Sequence, residues 1–166
     1  MKKIIFLFLM ATMVLICAGA AGIREERGLP ESDIGGKVSD INDILGKEWI
    51  LIEVYLSGSD IQFTRASLTD TLKDCYTLKF EGQTVSGTGA PNLFSAPFTA
   101  GDNHIINIKI MRSTLMASIF EPENLKEHEF FTYVQNSYSW NFNESQMELY
   151  SKTTDGKEVR LVFGLK

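Results

Sequence analysis

The chain has 166 residues, with 16 basic and 21 acidic side chains, a net charge of −5 and only two cysteines. That length suits a single domain with a sizeable apolar core. An acidic balance without a basic cluster argues against nucleic acid as a partner, since such binding rests on neutralised phosphates.

At the amino terminus Lys2 and Lys3 precede an apolar run from Ile4 to Ile16, followed by the small residues Ala18, Gly19, Ala20, Ala21 and Gly22. This is the order of a secretory signal peptide, and the run is shorter than the roughly 20 residues needed to span a bilayer. Residues 1–20 are therefore expected to direct export. Two outcomes stay open. Val14-Leu15-Ile16-Cys17 reads as a degenerate lipobox, which makes Cys17 a candidate lipid-attachment site, although Ile16 is larger than the usual residue before such a cysteine. Alternatively, Ala18 and Ala20 serve ordinary cleavage after Ala20. Loss of the first twenty residues leaves 14 basic against 21 acidic side chains, a net charge near minus seven that would be repelled by anionic headgroups. A membrane link is thus expected only through a lipid anchor, which tethers without spanning.

Residues 21–47 are polar and broken by glycine, and read as a linker with one short helical turn in Ser39–Leu45. The domain is expected over residues 48–166. Trp49–Leu56 reads as a strand apolar on both faces except at Glu53. Ser57–Asp74, rich in Ser, Thr, Asp and Gly, reads as a long loop. Strand alternation follows in Tyr76–Phe80, Thr84–Thr88, Phe94–Phe98 and Ile106–Ile110. Glu121–Asn136 reads as a helix of three to four turns, with Pro122 at its first position and Asn136 as a left-handed stop. Tyr138, Trp140 and Phe142 alternate with polar residues, a hairpin leads into Met147–Ser151, and Asp155-Gly156 turns the chain into Val159–Leu165. The fold class expected is mainly β with one α-helix (α+β): a strongly curled antiparallel sheet or small β-barrel with the helix packed against it.

Candidate chemistry is sparse. His104 follows a turn. His128 lacks a second ligand one helical turn away, so no metal site or cofactor is expected. Gly87-Thr88-Gly89 lacks the lysine and hydroxyl residue of a phosphate loop and reads as a bend where glycine relieves close backbone contact. Glu121, Glu123, Glu127 and Glu129 read as the solvated, dipole-matched face of the helix rather than as an acid pair. Once Cys17 is cleaved or acylated, Cys75 is the remaining cysteine. Its neighbours Asp74 and Tyr76 offer neither cation nor base, so its role reads as structural. The inward aromatics either line a hydrophobic pocket or fill the core themselves.

The stretch GTGAPNLFSAPFTA, Gly87–Ala100, followed by STLMAS, Ser113–Ser118, resembles the signature of the META domain, an HslJ-like family of bacterial envelope and stress proteins. Matching pieces run in family order from Trp49 through Gly89-Ala90-Pro91-Asn92, Phe94–Phe98, Thr114 and Met116, Glu127–Val134 and Leu149 to Leu161–Phe163. Pro91 or Ala90 and then Ser118 stand where relatives carry cysteines, so no thiol or disulfide role carries over. Trp49, Gly89, Asn92, Thr114 and Met116 are expected to be structural: Asn92 and Thr114 satisfying backbone groups at a strand break, Met116 filling an irregular gap in the core. The resemblance implies a non-enzymatic, exported, monomeric envelope protein, in the periplasm or membrane-anchored, that binds another envelope protein. The alternative is a module for a small hydrophobic ligand or lipid.

Overall fold

The computed structural model describes residues 40–58, 60–117, 120–143 and 145–166. Cys17, Ala20 and the remainder of the expected signal and linker through residue 39 lie outside them. Among the described residues ten strands occur: β1 (Glu48–Leu56), β2 (Asp60–Thr64), β3 (Thr77–Glu81), β4 (Thr84–Thr88), β5 (Leu93–Ala100), β6 (Ile106–Ile108), β7 (Arg112–Ser113), β8 (Ser139–Asn143), β9 (Gln146–Lys152) and β10 (Glu158–Leu165). One helix, α1 (Glu127–Gln135), stands between β7 and β8.

The strands form an antiparallel path β6-β5-β4-β3-β1-β10-β9-β8, with β2 added to β1 and β7 to β5. Its two ends meet. Ile105 bridges Ser139, the Ile106 amide donates to the Tyr138 carbonyl at 3.1 Å, and the Trp140 amide donates to the His104 carbonyl at 2.9 Å. The result is a nearly closed barrel, which leaves few edge groups unpaired.

β1 is the hub. One edge pairs with β10 along most of its length, while the other meets β3 at Glu48–Ile50 and β2 at Glu53–Leu56. Alternation decides what faces inward: Phe94, Ala96 and Phe98 on β5 are buried while Leu93, Ser95 and Pro97 are exposed. Inside, the rings of Tyr76 and Phe130 lie 4.7 Å apart, Phe80 and Phe98 5.1 Å, and Phe63 and Tyr76 5.7 Å. These aromatics fill the interior by touching one another, each contributing roughly 1.5–3 kcal/mol through burial. Gly156, with φ +86°, makes the tight turn between β9 and β10.

Several expectations are corrected. The folded part begins before Trp49, because Ile44 is fully buried and its carbonyl accepts from Trp49 Nε1 at 3.2 Å. The Ser57–Asp74 segment is not a featureless loop, since it supplies β2 and two 3-10 turns, Arg65–Ser67 and Asp70–Leu72. Phe63 from β2 enters the core while Ile61 faces out. α1 starts at Glu127, later than expected. Pro122 precedes it by more than one turn, and Asn136, at φ −84°, is not left-handed. Ile110 does not share the inward face of Ile106 and Ile108 but is 82% exposed. Tyr138 lies outside the core, half-exposed, with its hydroxyl donating to Glu158 at 2.7 Å.

Candidate functional site

The most densely bonded polar cluster lies where β4 turns into β5. Gly87 is in register with Phe94, and a methyl group there would collide with the Thr77 carbonyl on β3. At Gly89 a methyl group would meet the Glu127 carboxylate and lie 2.7 Å from Phe131 Cζ. Both glycines therefore permit close approach, Gly87 of strand to neighbouring strand and Gly89 of corner to helix. The Ala90–Pro91 peptide is cis.

Glu127, the first residue of α1, reaches into this corner and is buried. Its Oε1 accepts from the Ala90 amide at 2.5 Å and the Asn92 amide at 2.6 Å, and its Oε2 accepts from Asn92 Nδ2 at 2.7 Å. A carboxylate that collects three donors substitutes for the water it has lost. The solvated role expected for Glu127 is thus overturned. Glu129 instead holds the helix start, its Oε2 accepting from the Lys126 amide at 2.7 Å.

Asn92 is buried and is bonded on every side. Besides its bond to Glu127, Nδ2 donates to the Met116 carbonyl at 3.1 Å. Its Oδ1 accepts from the Met116 amide at 2.7 Å and from Thr114 Oγ1 at 2.8 Å. Thr114 Oγ1 also accepts from the Leu93 amide at 3.1 Å. Asn92 and Thr114 so bracket the strand break after β7. Met116 takes part through its backbone alone, and its side chain is half-exposed rather than filling the core. Ser118 lies outside the described residues. Trp49, fully buried, sits on β1 away from this corner, with its ring against Phe142 at 5.8 Å.

Arg65 forms a second cluster that sequence reasoning missed. Its guanidinium fills the split between β2 and β3: Nε donates to the Leu51 carbonyl, and its two terminal nitrogens donate to the carbonyls of Lys73 and Cys75 at 2.7 Å each. Burial lowers its proton affinity below the ordinary guanidinium range. Cys75 is buried, and burial pushes its thiol up to about 11 despite the opposing pull of Arg65. A cation does stand beside this thiol, although not from the adjacent residues, and desolvation outweighs it. Next to it Tyr76, in the left-handed region at φ 58°, is held by ring packing and by its hydroxyl, which donates to the Leu125 carbonyl at 2.5 Å. Burial raises the Tyr76 phenol well above its usual value.

His128 is exposed on α1, and His104 packs against Trp140 with ring centroids 4.8 Å apart. The two are not brought into a shared site. Among the described residues no group of three or more His, Cys, Asp or Glu side chains is placed to hold a metal ion.

The family model described as META domain matches residues 42–163. No curated protein sequence matches the chain. A protein from Burkholderia xenovorans, solved by NMR, shares the fold at a TM-score of 0.52 and 10% identity, covering 83% of this chain and 99% of that one. A DUF4847 family protein from Bacteroides vulgatus, solved by crystallography, does so at a TM-score of 0.52 and 13% identity, covering 74% and 94%. At such identities the likeness concerns the fold alone.

Proposed function

The chain belongs to the META domain family, and from that premise we propose that it is a non-enzymatic, exported cell-envelope protein, related to stress responses, that acts by binding another envelope component. One observation carries the reading. The polar side chains of the family-signature corner, Asn92, Thr114 and Glu127, are committed to one another and to backbone groups. Groups bonded in that way shape a scaffold, whereas catalysis asks for groups poised against a substrate. The sequence order of residues 1–20 supports export, and Cys17 is the candidate anchor. The contacts among Tyr76, Phe80, Phe98 and Phe130 speak against a hydrophobic ligand held inside the barrel.

The test is labelling with radioactive fatty acid, with cell fractionation, in wild type and Cys17→Ala. Label in the wild type alone identifies a lipoprotein, and an unlabelled but processed chain in the exported fraction identifies cleavage after Ala20. A full-length chain confined to the cytosolic fraction would contradict the reading. So would steady turnover of a defined substrate that is lost on changing one polar residue.

A further inference from the structure

Net charge conceals a local exception. From Ile105 to Phe120 the sequence carries no Asp or Glu, yet it includes Lys109 and Arg112. Neither cation joins an ion pair among the described residues. The two line one cleft of about 580 Å3 with the exposed hydroxyl residues Thr84 and Ser95, together with Pro97 and Ile110. No acidic side chain lines it. β7 holds Arg112 opposite Ser95, so the guanidinium and the hydroxyl stand on adjacent strands.

The same segment exposes large apolar side chains: Ile110 at 82%, Leu115 at 98% and Met116 at 51%. Leu93 joins them, half-exposed, because its amide and carbonyl both pair with Thr114. Exposed apolar groups beside unpaired cations mark an interaction surface, and their combination selects the partner. A water-soluble anion would satisfy the cations and leave Ile110 and Leu115 in water. A bilayer surface satisfies both, since headgroup phosphates meet Lys109 and Arg112 while the apolar tips enter the acyl boundary.

We propose that the Lys109–Met116 segment docks the domain onto an anionic lipid surface, with a headgroup phosphate in the cleft formed by Thr84, Ser95, Lys109 and Arg112. This deepens the envelope reading by naming the surface and its partner, and it adds a second link to a membrane beside the lipid anchor expected from the sequence. Local charge, not the net charge of −5, governs contact within a Debye length of about 8–10 Å. Docking of this kind would orient a domain that the N-terminus merely tethers.

The experiment uses the full chain carrying Cys17→Ser, with an environment-sensitive fluorophore on Leu115→Cys or, as control, on Ile61→Cys of β2. Buried Cys75 is kept. Vesicles of phosphatidylglycerol are expected to shift the emission of the probe at 115 to the blue and leave the probe at 61 unchanged, and phosphatidylcholine vesicles to shift neither. Lys109→Glu with Arg112→Glu should weaken the response at 115 at least tenfold, given about 1 kcal/mol per cation near such a surface. Equal shifts at both positions, or a response at 115 that ignores the charge reversal, would overturn the proposal by assigning vesicle binding to the N-terminal run. Self-association in sedimentation that Leu115→Asp abolishes, with no shift on vesicles, would overturn it in favour of a second copy. Either failure leaves the export reading standing, because fractionation tests that separately.

Discussion

A methyl group added at Gly87 meets a backbone carbonyl, which cannot rotate away, whereas one added at Gly89 meets the Glu127 side chain. Gly87→Ala is accordingly the more damaging change, expected to cost about 3 kcal/mol or more, with Gly89→Ala at roughly 1–3 kcal/mol. Urea midpoints of the two variants check the order. Cys75 sets a pH dependence. Its folded thiol titrates near 11, above the ordinary value of about 8.5, so its contribution is complete below that ordinary value and is lost as pH rises toward 11. Tyr150, pushed up to about 12, extends the loss upward. The urea midpoint is thus expected to hold through about pH 8 and fall between about pH 9 and 11, and Cys75→Ala should delay the onset to the tyrosine range near 10. At this scale Asn92 and Thr114 were legible only through the family resemblance, and the bonds they make to backbone groups are those open to a short polar side chain at a strand break. Glu127 was not, since four glutamates near one helix look alike until the fold shows which of them Ala90 and Asn92 can reach.

Arg65 joins two elements that share one edge of β1. Without its guanidinium the carbonyls of Leu51, Lys73 and Cys75 lose their donor, and β2 stays attached through its pairing with β1, the packing of Phe63 on Tyr76, the bond from the Tyr133 hydroxyl to Gln62 at 3.2 Å and that from Ser67 Oγ to the Thr64 carbonyl at 2.7 Å. Arg65→Met is therefore expected to open β2 locally, with amide exchange of Ile61–Thr64 at least tenfold faster and the β9–β10 amides unchanged. Exchange rising uniformly through the barrel would show that Arg65 acts on global stability instead. β2 escaped sequence reading because its apolar content is only Ile61 and Phe63, one on each face, set among Ser, Thr and Asp. The helix boundary failed for another reason: Glu121 and Pro122 carry the composition of a helix start, while the operative signal is the bond from the Lys126 amide to Glu129. The long strands were legible throughout, as in Phe94-Ala96-Phe98 and Val159-Leu161-Phe163, where burial imposes period two.

At the scale of the whole fold, the barrel is nearly closed and its interior is filled by its own side chains. The curled antiparallel sheet followed from many short strands joined by tight turns, but its near-closure through Ile105 and Ser139 involves residues thirty-four apart in sequence and left no local trace. The helix is tied to the barrel at both ends, by Glu127 to the signature corner and by Ser151 Oγ, which donates to the Tyr133 carbonyl at 2.5 Å. The family signature is a lock between corner and helix, made by Asn92 and Glu127. A double-mutant cycle of Glu127→Ala and Asn92→Ala, read by urea unfolding, tests it most directly. Each single change is expected to cost about 2–4 kcal/mol by orphaning buried donors or acceptors, and the pair to show a coupling of about 1–3 kcal/mol. Strictly additive effects, or single variants as stable as the wild type, would contradict it.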